Sequence, residues 1–346
     1  MTNCLQCSKL PELKEQGTFL FLTNNEEVRH KITQSMNHIY NLQESGKENL
    51  ILFGYHSKEE IIDQLERMAS ILNEEEKSQL YGSWTNEGTE RFPNMVSFRQ
   101  LQKRVAAPNY LHIINEQRFK HHLQPIMDIE NDKVMGFEFL IRPLSDEVRF
   151  NPGHLFEFSQ EAGMQSHLDS QSRRSAIRTG AAKLKRGEKR FINFLPSSIY
   201  DPAHCLKSTF EMVEEMGVDA NDLVFEVVET EQIEDMNKLQ NIFRTYREYG
   251  VKTALDDIGS GFATIENMEL LCPDYAKVDR SLIEGCFKNQ MKQEKLAEIV
   301  ERADKIGVSL LAEGIEEKAE LDYVKKAGFS YAQGYYIGKP SETGAV

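Results

Sequence analysis

The sequence predicts an α/β fold: a modified TIM (β/α)8 barrel with one antiparallel strand, preceded by a small α+β domain. Three observations carry this. From about residue 111 onward, short apolar runs alternate with amphipathic helical patterns, the signature of parallel strands wrapped by helices. The first two runs of that series sit too close together for a helical crossover and read as a hairpin, which turns one barrel strand antiparallel. The length of 346 residues suggests two domains at ~100–200 residues each.

Taken in order, residues 1–110 read as a small mixed domain, to which analogy of fold alone gives a regulatory place ahead of the barrel; a dimer contact or a partner surface are the alternatives. Gly17–Leu22 is a compact strand candidate, and Val28, Ile32, Met36, Ile39 and Tyr40 recur at helical spacing after the polar start Thr23-Asn24-Asn25. A second strand and helix follow at Asn49–Gly54 and Ser57–Leu72, where Ile61, Ile62, Leu65 and Met68 form one stripe. Glu74-Glu75-Glu76 reads as a solvated helix end. The polar, glycine-containing stretch Trp84–Phe92 predicts a loop, and helical Val96–Arg104 leads through Ala106-Ala107-Pro108 into the second domain, residues 111–346. The Phe and Tyr residues of the front domain read as core.

In the second domain the strand candidates are His122–Met127, Val134–Ile141, Arg190–Leu195, Leu223–Val228, Val251–Leu255, Tyr275–Val278, Ser309–Ala312 and Tyr331–Tyr335. Helical patterns lie between them at Gly153–Ala162, His167–Lys185, His204–Met216, Met236–Tyr249, Gln290–Lys305 and Lys318–Ala327.

Composition narrows the function classes. With 41 Lys+Arg against 55 Asp+Glu, the chain carries a formal charge of −14, a poor match to the phosphate backbone of a nucleic-acid polymer. A small phosphate ligand would call for a metal. No apolar run approaches the ~20 residues that cross a bilayer, and the opening residues lack a basic start and an apolar signal core, so a cytoplasmic protein without membrane insertion is expected. Five cysteines in a chain of this kind point to thiols rather than a disulfide framework. Cys4-x-x-Cys7 offers half of a zinc site, a redox pair or two incidental thiols, and no second Cys pair completes the first.

Barrel enzymes take their chemistry from the C-terminal ends of strands. Reading where each apolar run stops gives Glu138, Asn193, Glu226, Asp256-Asp257, Lys277, Glu313 and Gln333. One strand-end carboxylate is ordinarily a solvated boundary residue or a cap; nearly every strand delivering one polar group to one rim is a different matter. Glu138, Asn193, Glu226 and Asp256 offer hard oxygen atoms with no His or Cys among them, which favours Mg²⁺ or Mn²⁺ over zinc. The neighbours Asp256 and Asp257, followed by Gly259-Ser-Gly261, either bridge a pair of cations about 3.5–4 Å apart or form an acidic turn before a flexible loop.

These blocks resemble the EAL-domain cyclic-di-GMP phosphodiesterases over about residues 111–340. The family signature Glu-Ala-Leu-x-Arg stands here as Glu138-Phe139-Leu140-Ile141-Arg142, with Gln124-Pro125-Ile126 upstream. Phe191-Ile-Asn193, Glu226-Val-Val-Glu229, Asp256-Asp257-Ile-Gly-Ser-Gly261-Phe262, Lys277-Val-Asp279, Ala312-Glu313-Gly-Ile-Glu316 and Gln333-Gly-Tyr335 complete the series. The resemblance implies hydrolysis of cyclic di-GMP to linear pGpG with two divalent cations, Mg²⁺ or Mn²⁺. Carried over, Glu138, Asn193, Glu226 and Asp256 hold the first metal, and Asp256, Asp257 and Glu313 the second. Lys277 orients or helps deprotonate the attacking water, and Glu313 and Glu229 join it in the catalytic set, Glu229 by anchoring the loop Ile258–Thr264. Substrate contacts are implied at Arg142, Leu140, Asp169, Asp279 and Gln333, with Arg142 clamping a phosphate and Gln333 also holding metal-site waters. A homodimer is implied as well. Phe139 departs from the signature Ala, Phe262-Ala263-Thr264 replaces the common Tyr-Ser-Ser, and Val228 replaces a Thr. A receptor of the same fold that binds without hydrolysis is the alternative, and another metal-dependent barrel hydrolase is a third reading.

Overall fold

The computed structural model describes residues 9–37, 40, 49–86, 95–227, 235–259 and 263–344, together with the backbone of 42–43. Two compact units form, one comprising Met1–Arg118 with Pro143–Leu168 and the other Phe119–Arg142 with Asp169–Val346.

The first unit is built on β1 (Gly17–Leu22), α1 (Glu26–Met36), β2 (Leu42–Gln43), β3 (Leu50–Tyr55), α2 (Lys58–Ile71), α3 (Glu74–Ser78), β4 (Tyr81–Thr85), β5 (Val96–Ser97), α4 (Phe98–Ala106) and α5 (Pro108–Asn115). Its antiparallel sheet has the order β2-β3-β1-β4-β5. On the central strand β1, alternation sends Phe19 and Phe21 to one face, where Phe19 lies opposite Phe53 and Trp84 and Phe21 meets Phe98. The helix starts follow the sequence signals: Asn25 and Ser57 cap α1 and α2, and Asn73 with Glu76 forms a capping box that places the three glutamates in the favourable first turn of α3.

The loop expected over Trp84–Phe92 is corrected at its start. Trp84 and Thr85 close strand β4, because the Trp84 ring is buried beside Phe19 and its Nε1 donates to the Pro11 carbonyl at 3.2 Å; residues 87–92 lie outside the described residues. Likewise Val96–Ser97 pairs with β4 before Ser97 caps α4.

A single cut at residue 110 does not follow the compact units. The segment Pro143–Leu168 belongs with the first unit and carries α6 (Pro152–Glu161). Arg104 explains the attachment. Its buried guanidinium donates from Nε to the Ala162 carbonyl at 2.7 Å and from Nη2 to Gly163 at 3.2 Å, capping the end of α6, while Tyr110 stacks on Phe158 at 5.1 Å.

The second unit is a closed eight-stranded barrel in the order β10-β11-β12-β13-β6-β7-β8-β9. Its strands are β6 (Phe119–Asp128), β7 (Lys133–Pro143), β8 (Lys189–Phe194), β9 (Leu223–Val227), β10 (Lys252–Ile258), β11 (Tyr275–Val278), β12 (Ser309–Ala312) and β13 (Tyr331–Gln333). Strand β6 runs antiparallel to β13 and the pairings from β7 through β13 are parallel, as the tight hairpin between the first two runs predicts. The helices are α7 (Gln165–Lys183), α8 (Pro202–Cys205), α9 (Lys207–Glu215), α10 (Met236–Glu248), α11 (Ile265–Leu271), α12 (Arg280–Ile283), α13 (Gln290–Ile306) and α14 (Lys318–Ala327). No helix among the described residues is long and apolar enough to cross a membrane.

Alternation sorts each strand into two layers. Phe139, Ile192, Phe194, Phe225 and Leu255 join the large core between strands and helices. Ile126, Phe191, Val224, Ala254, Tyr275 and Leu311 form a separate cluster that fills the barrel interior.

Candidate active site

The inner apolar layer fixes what comes next. Two residues further along a strand the side chain returns to the same face. The step from Phe191, Val224, Ala254, Tyr275, Leu311 and Tyr331 therefore gives Asn193, Glu226, Asp256, Lys277, Glu313 and Gln333. Glu138 stands beside Phe191 in the β7–β8 register. The polar layer is thus the apolar layer's immediate neighbour, set by strand period and barrel register together.

Lys277 occupies its centre and is 1% exposed. Its Nζ lies 2.7 Å from Glu226 Oε2, 2.7 Å from Glu313 Oε1, 2.9 Å from Asp256 Oδ1 and 3.7 Å from Glu138 Oε2. Glu138 is held from two further sides, by Asn193 Nδ2 donating to Oε1 at 3.2 Å and Gln333 Nε2 donating to Oε2 at 2.7 Å.

Burial pushes the carboxyls of Glu226, Asp256 and Glu313 above their usual range, Lys277 pulls each of them down, and neighbouring carboxylates add to the rise. Burial works against the charge on Lys277 as well. The surrounding Asp256, Glu138, Glu226 and Glu313 outweigh it and hold the ammonium well above its ordinary value.

Consecutive strand residues ordinarily face opposite ways, yet Asp256 and Asp257 both reach the site. The reason is a β-bulge. Leu255 pairs with Ala276 and Ile258 with Val278, so β10 spends one more residue than β11 across this step. Asp257 takes a left-handed backbone with φ +58°, a conformation that Asp tolerates better than most side chains. One oxygen each from Asp256, Asp257 and Glu313 then lies within 4.8 Å of the others.

The donor set fits hard divalent cations. It consists of carboxylate and amide oxygens, four carboxylates share one ammonium with Asp257 beside them, and the buried Glu226 Oε1 has no hydrogen-bond partner. An arrangement of this charge is stabilised by added cations and is costly without them.

The remaining expected site residues divide. Leu140 and Arg142 are two and four residues beyond Glu138 on β7, on the same face and half-buried; Arg142 Nη1 donates to the Ile141 carbonyl at 2.8 Å. Asp279 caps α12, accepting from Ser281 N at 2.9 Å. Asp169 is buried, and its oxygens are engaged by Leu195 N, Ser198 Oγ and Arg173. Glu229 lies outside the described residues, as do Val228, Ser260–Phe262, Cys4 and Cys7. Ser198 and Arg173 are the residues that strand-end reading misses. The signal for Arg173 was its place four residues after Asp169 on one helix.

The chain is similar to proteins with EAL domains. A family model described as EAL domain matches residues 108–340. The uncharacterized EAL-domain containing protein YkuI of Bacillus subtilis is 28% identical over 226 residues, covering 64% of this chain and 55% of that protein. The cyclic di-GMP phosphodiesterase PdeF of Escherichia coli is 26% identical over 257 residues, 73% of this chain and 34% of that protein. The chain spans about half or less of the length of such curated relatives. Among solved structures, a standalone versatile EAL protein from Vibrio cholerae in its c-di-GMP bound form has a TM-score of 0.57 at 30% identity, covering 64% of this chain and 92% of that one. Klebsiella pneumoniae BlrP1, solved with manganese and cyclic di-GMP, has a TM-score of 0.58 at 18% identity over 94% of this chain and 96% of that one, a likeness of fold alone.

Proposed function

We propose, from the premise that the chain belongs to the EAL-domain family, that it hydrolyses one phosphodiester of cyclic di-GMP to give linear pGpG. The observation that carries this reading is the bulge in β10, which turns both Asp256 and Asp257 toward Glu313 in a site already crowded with carboxylates. Three carboxylates gathered at one point suit the bridging of a pair of cations, the arrangement that phosphodiester hydrolysis uses.

Two divalent cations, magnesium or manganese, held by Glu138, Asn193, Glu226 and Asp256 on one side and by Asp256, Asp257 and Glu313 on the other, would supply Lewis acidity at the scissile phosphate and acidify a water. Lys277, whose three ammonium donors face Glu226, Glu313 and Asp256, would orient or help deprotonate the attacking water by turning one of those donors to it when the carboxylates hold cations. The water oxygen forms a bond to phosphorus as the bond from phosphorus to the leaving ribose oxygen breaks, and that oxygen takes up a proton. Arg142 presents a planar fork to a ligand phosphate, and Leu140 lines the same face of β7. Gln333 and Asn193 hold Glu138 in place so that its carboxylate is preorganised. Glu229 as loop anchor, a contact from Asp279 and a homodimer belong to the same reading.

The test is product analysis after the purified chain is incubated with cyclic di-GMP and Mg²⁺ or Mn²⁺. Formation of pGpG that stops on chelation supports the proposal. Nucleotide binding without product identifies a receptor, and cleavage of unrelated diesters with no preference for cyclic di-GMP identifies a different hydrolase.

A further inference from the structure

We propose that Asp169 is a positioning residue that fixes the end of β8 and, through it, the Asn193 amide against Glu138; this rests on the reading that Glu138 and Asn193 hold a cation. Asp169 sits on α7 and is 2% exposed. Its Oδ1 accepts from Leu195 N at 3.0 Å, and its Oδ2 accepts from Ser198 Oγ at 2.6 Å and pairs with Arg173 Nη2 at 2.9 Å.

The location of these donors gives the network its meaning. Strand β8 ends at Phe194, so the Leu195 N–H is the first backbone donor past the ladder. Asp169 takes it. The chain then turns, with Ser198 N donating to the Leu195 carbonyl at 3.0 Å, and the Ser198 hydroxyl returns to the same carboxylate. Both ends of the turn are therefore tied to one buried anion, one residue beyond the strand and two beyond Asn193. Arg173 balances the charge and extends the brace, donating from Nη1 to Thr209 Oγ1 on α9 at 3.1 Å.

An ionised acceptor suits this place because charge-assisted hydrogen bonds are short and stiff. Asn193 Nδ2 donates to Glu138 across 3.2 Å, a bond that a small shift at the end of β8 would break. Residues that orient a metal ligand from behind typically change metal affinity by roughly 10–100-fold when removed.

Calorimetric titration of the full chain with Mn²⁺ tests this without reference to turnover. Asp169→Asn and Ser198→Ala are each expected to weaken Mn²⁺ binding by roughly tenfold, while Thr209→Val, at the far end of the network, lowers the melting temperature and leaves Mn²⁺ affinity unchanged. In an Asn193→Ala background the Asp169 and Ser198 effects should vanish, since the positioned group is gone. Full additivity with Asn193→Ala, or unchanged affinity in both single variants, overturns the proposal, as does a parallel loss in Thr209→Val. If Asp169→Asn fails to fold, Ser198→Ala decides. A chain that binds Mn²⁺ with this pattern and yet leaves cyclic di-GMP intact would uphold the positioning role and sink the phosphodiesterase reading; unchanged affinity in variants of an active enzyme would do the reverse.

Discussion

Phe139 lies against the bare Cα of Gly180: a Cβ at position 180 would come within 3.2 Å of Phe139 Cζ. Phe139 occupies the second position of the Glu-Ala-Leu-x-Arg signature, in place of the Ala. Strand alternation turns it away from Glu138 and Leu140 and into the core between strands and helices, and the missing side chain on α7 makes room for it.

Phe139→Ala should therefore lower stability without touching the cation site. A loss of about 3–5 kcal/mol is expected for emptying a buried Phe position, read as a shift in urea midpoint. Mn²⁺ affinity should stay at the wild-type value; a fall of tenfold or more would mean that the ring supports the site after all.

Glu138→Ala removes a charged oxygen donor and leaves the Asn193 and Gln333 amides without their acceptor. Hydrolysis should be abolished and metal-dependent nucleotide binding weakened, since no neighbouring group replaces a carboxylate there. Calcium should inhibit the wild type, because it prefers a larger and looser shell than Mg²⁺. Turnover assays with each cation check both statements, and full activity in calcium would contradict the expected geometry.

Lys277→Met leaves Glu138, Glu226, Asp256 and Glu313 facing one another without the ammonium that separates them. Without metal, the variant should lose roughly 3–5 kcal/mol, as for breaking a buried ion pair, and added Mn²⁺ should restore more of its melting temperature than it adds to the wild type. Turnover in Lys277→Met and in Glu313→Gln should fall ~100-fold or more while nucleotide affinity stays within about tenfold. Equal loss of binding and turnover would point to misfolding instead.

Acid should destabilise the barrel through His121. Burial pushes its imidazole down to about 3 from an ordinary 6.5, with Nε2 facing Ser172 Oγ and the ring between Phe119 and Phe139. The folded state keeps this ring neutral while the unfolded state takes up a proton below 6.5. Its contribution is thus complete above pH 6.5 and is lost as pH falls toward 3. Between pH 6.5 and 5 the wild type should lose roughly 1.6 kcal/mol more than His121→Phe, the slope rising from half of ~1.4 kcal/mol per pH unit at 6.5 toward its full value. Parallel stability curves for the two proteins would show that the ring is not the source.

Much of the architecture was legible because it is local. Tyr275–Val278, Ser309–Ala312 and Lys318–Ala327 take the bounds that their apolar spacing predicts, and Gly17–Leu22 does so in the first unit. The polar residue that ends each run was legible for the same reason: a strand that is buried along its length shows the one position where it is not apolar. Trp84 was misread because its neighbours are polar and its burial depends on Phe19 and Pro11, far away in the chain.

The sequence by itself determined the series of strands and helices and the chemistry of the residues at the strand ends, since period and composition are properties of short segments. Only the tertiary structure decided how those ends meet. The pairing of β10 with β11 inserts the bulge that turns Asp257 beside Asp256, barrel closure brings Gln333 from the last strand to Glu138 on the second, and Asp169 spends both oxygens on the turn after β8. Each of these depends on contacts between residues distant in the chain, and the register of such contacts is set by packing over the whole barrel, which no short segment encodes.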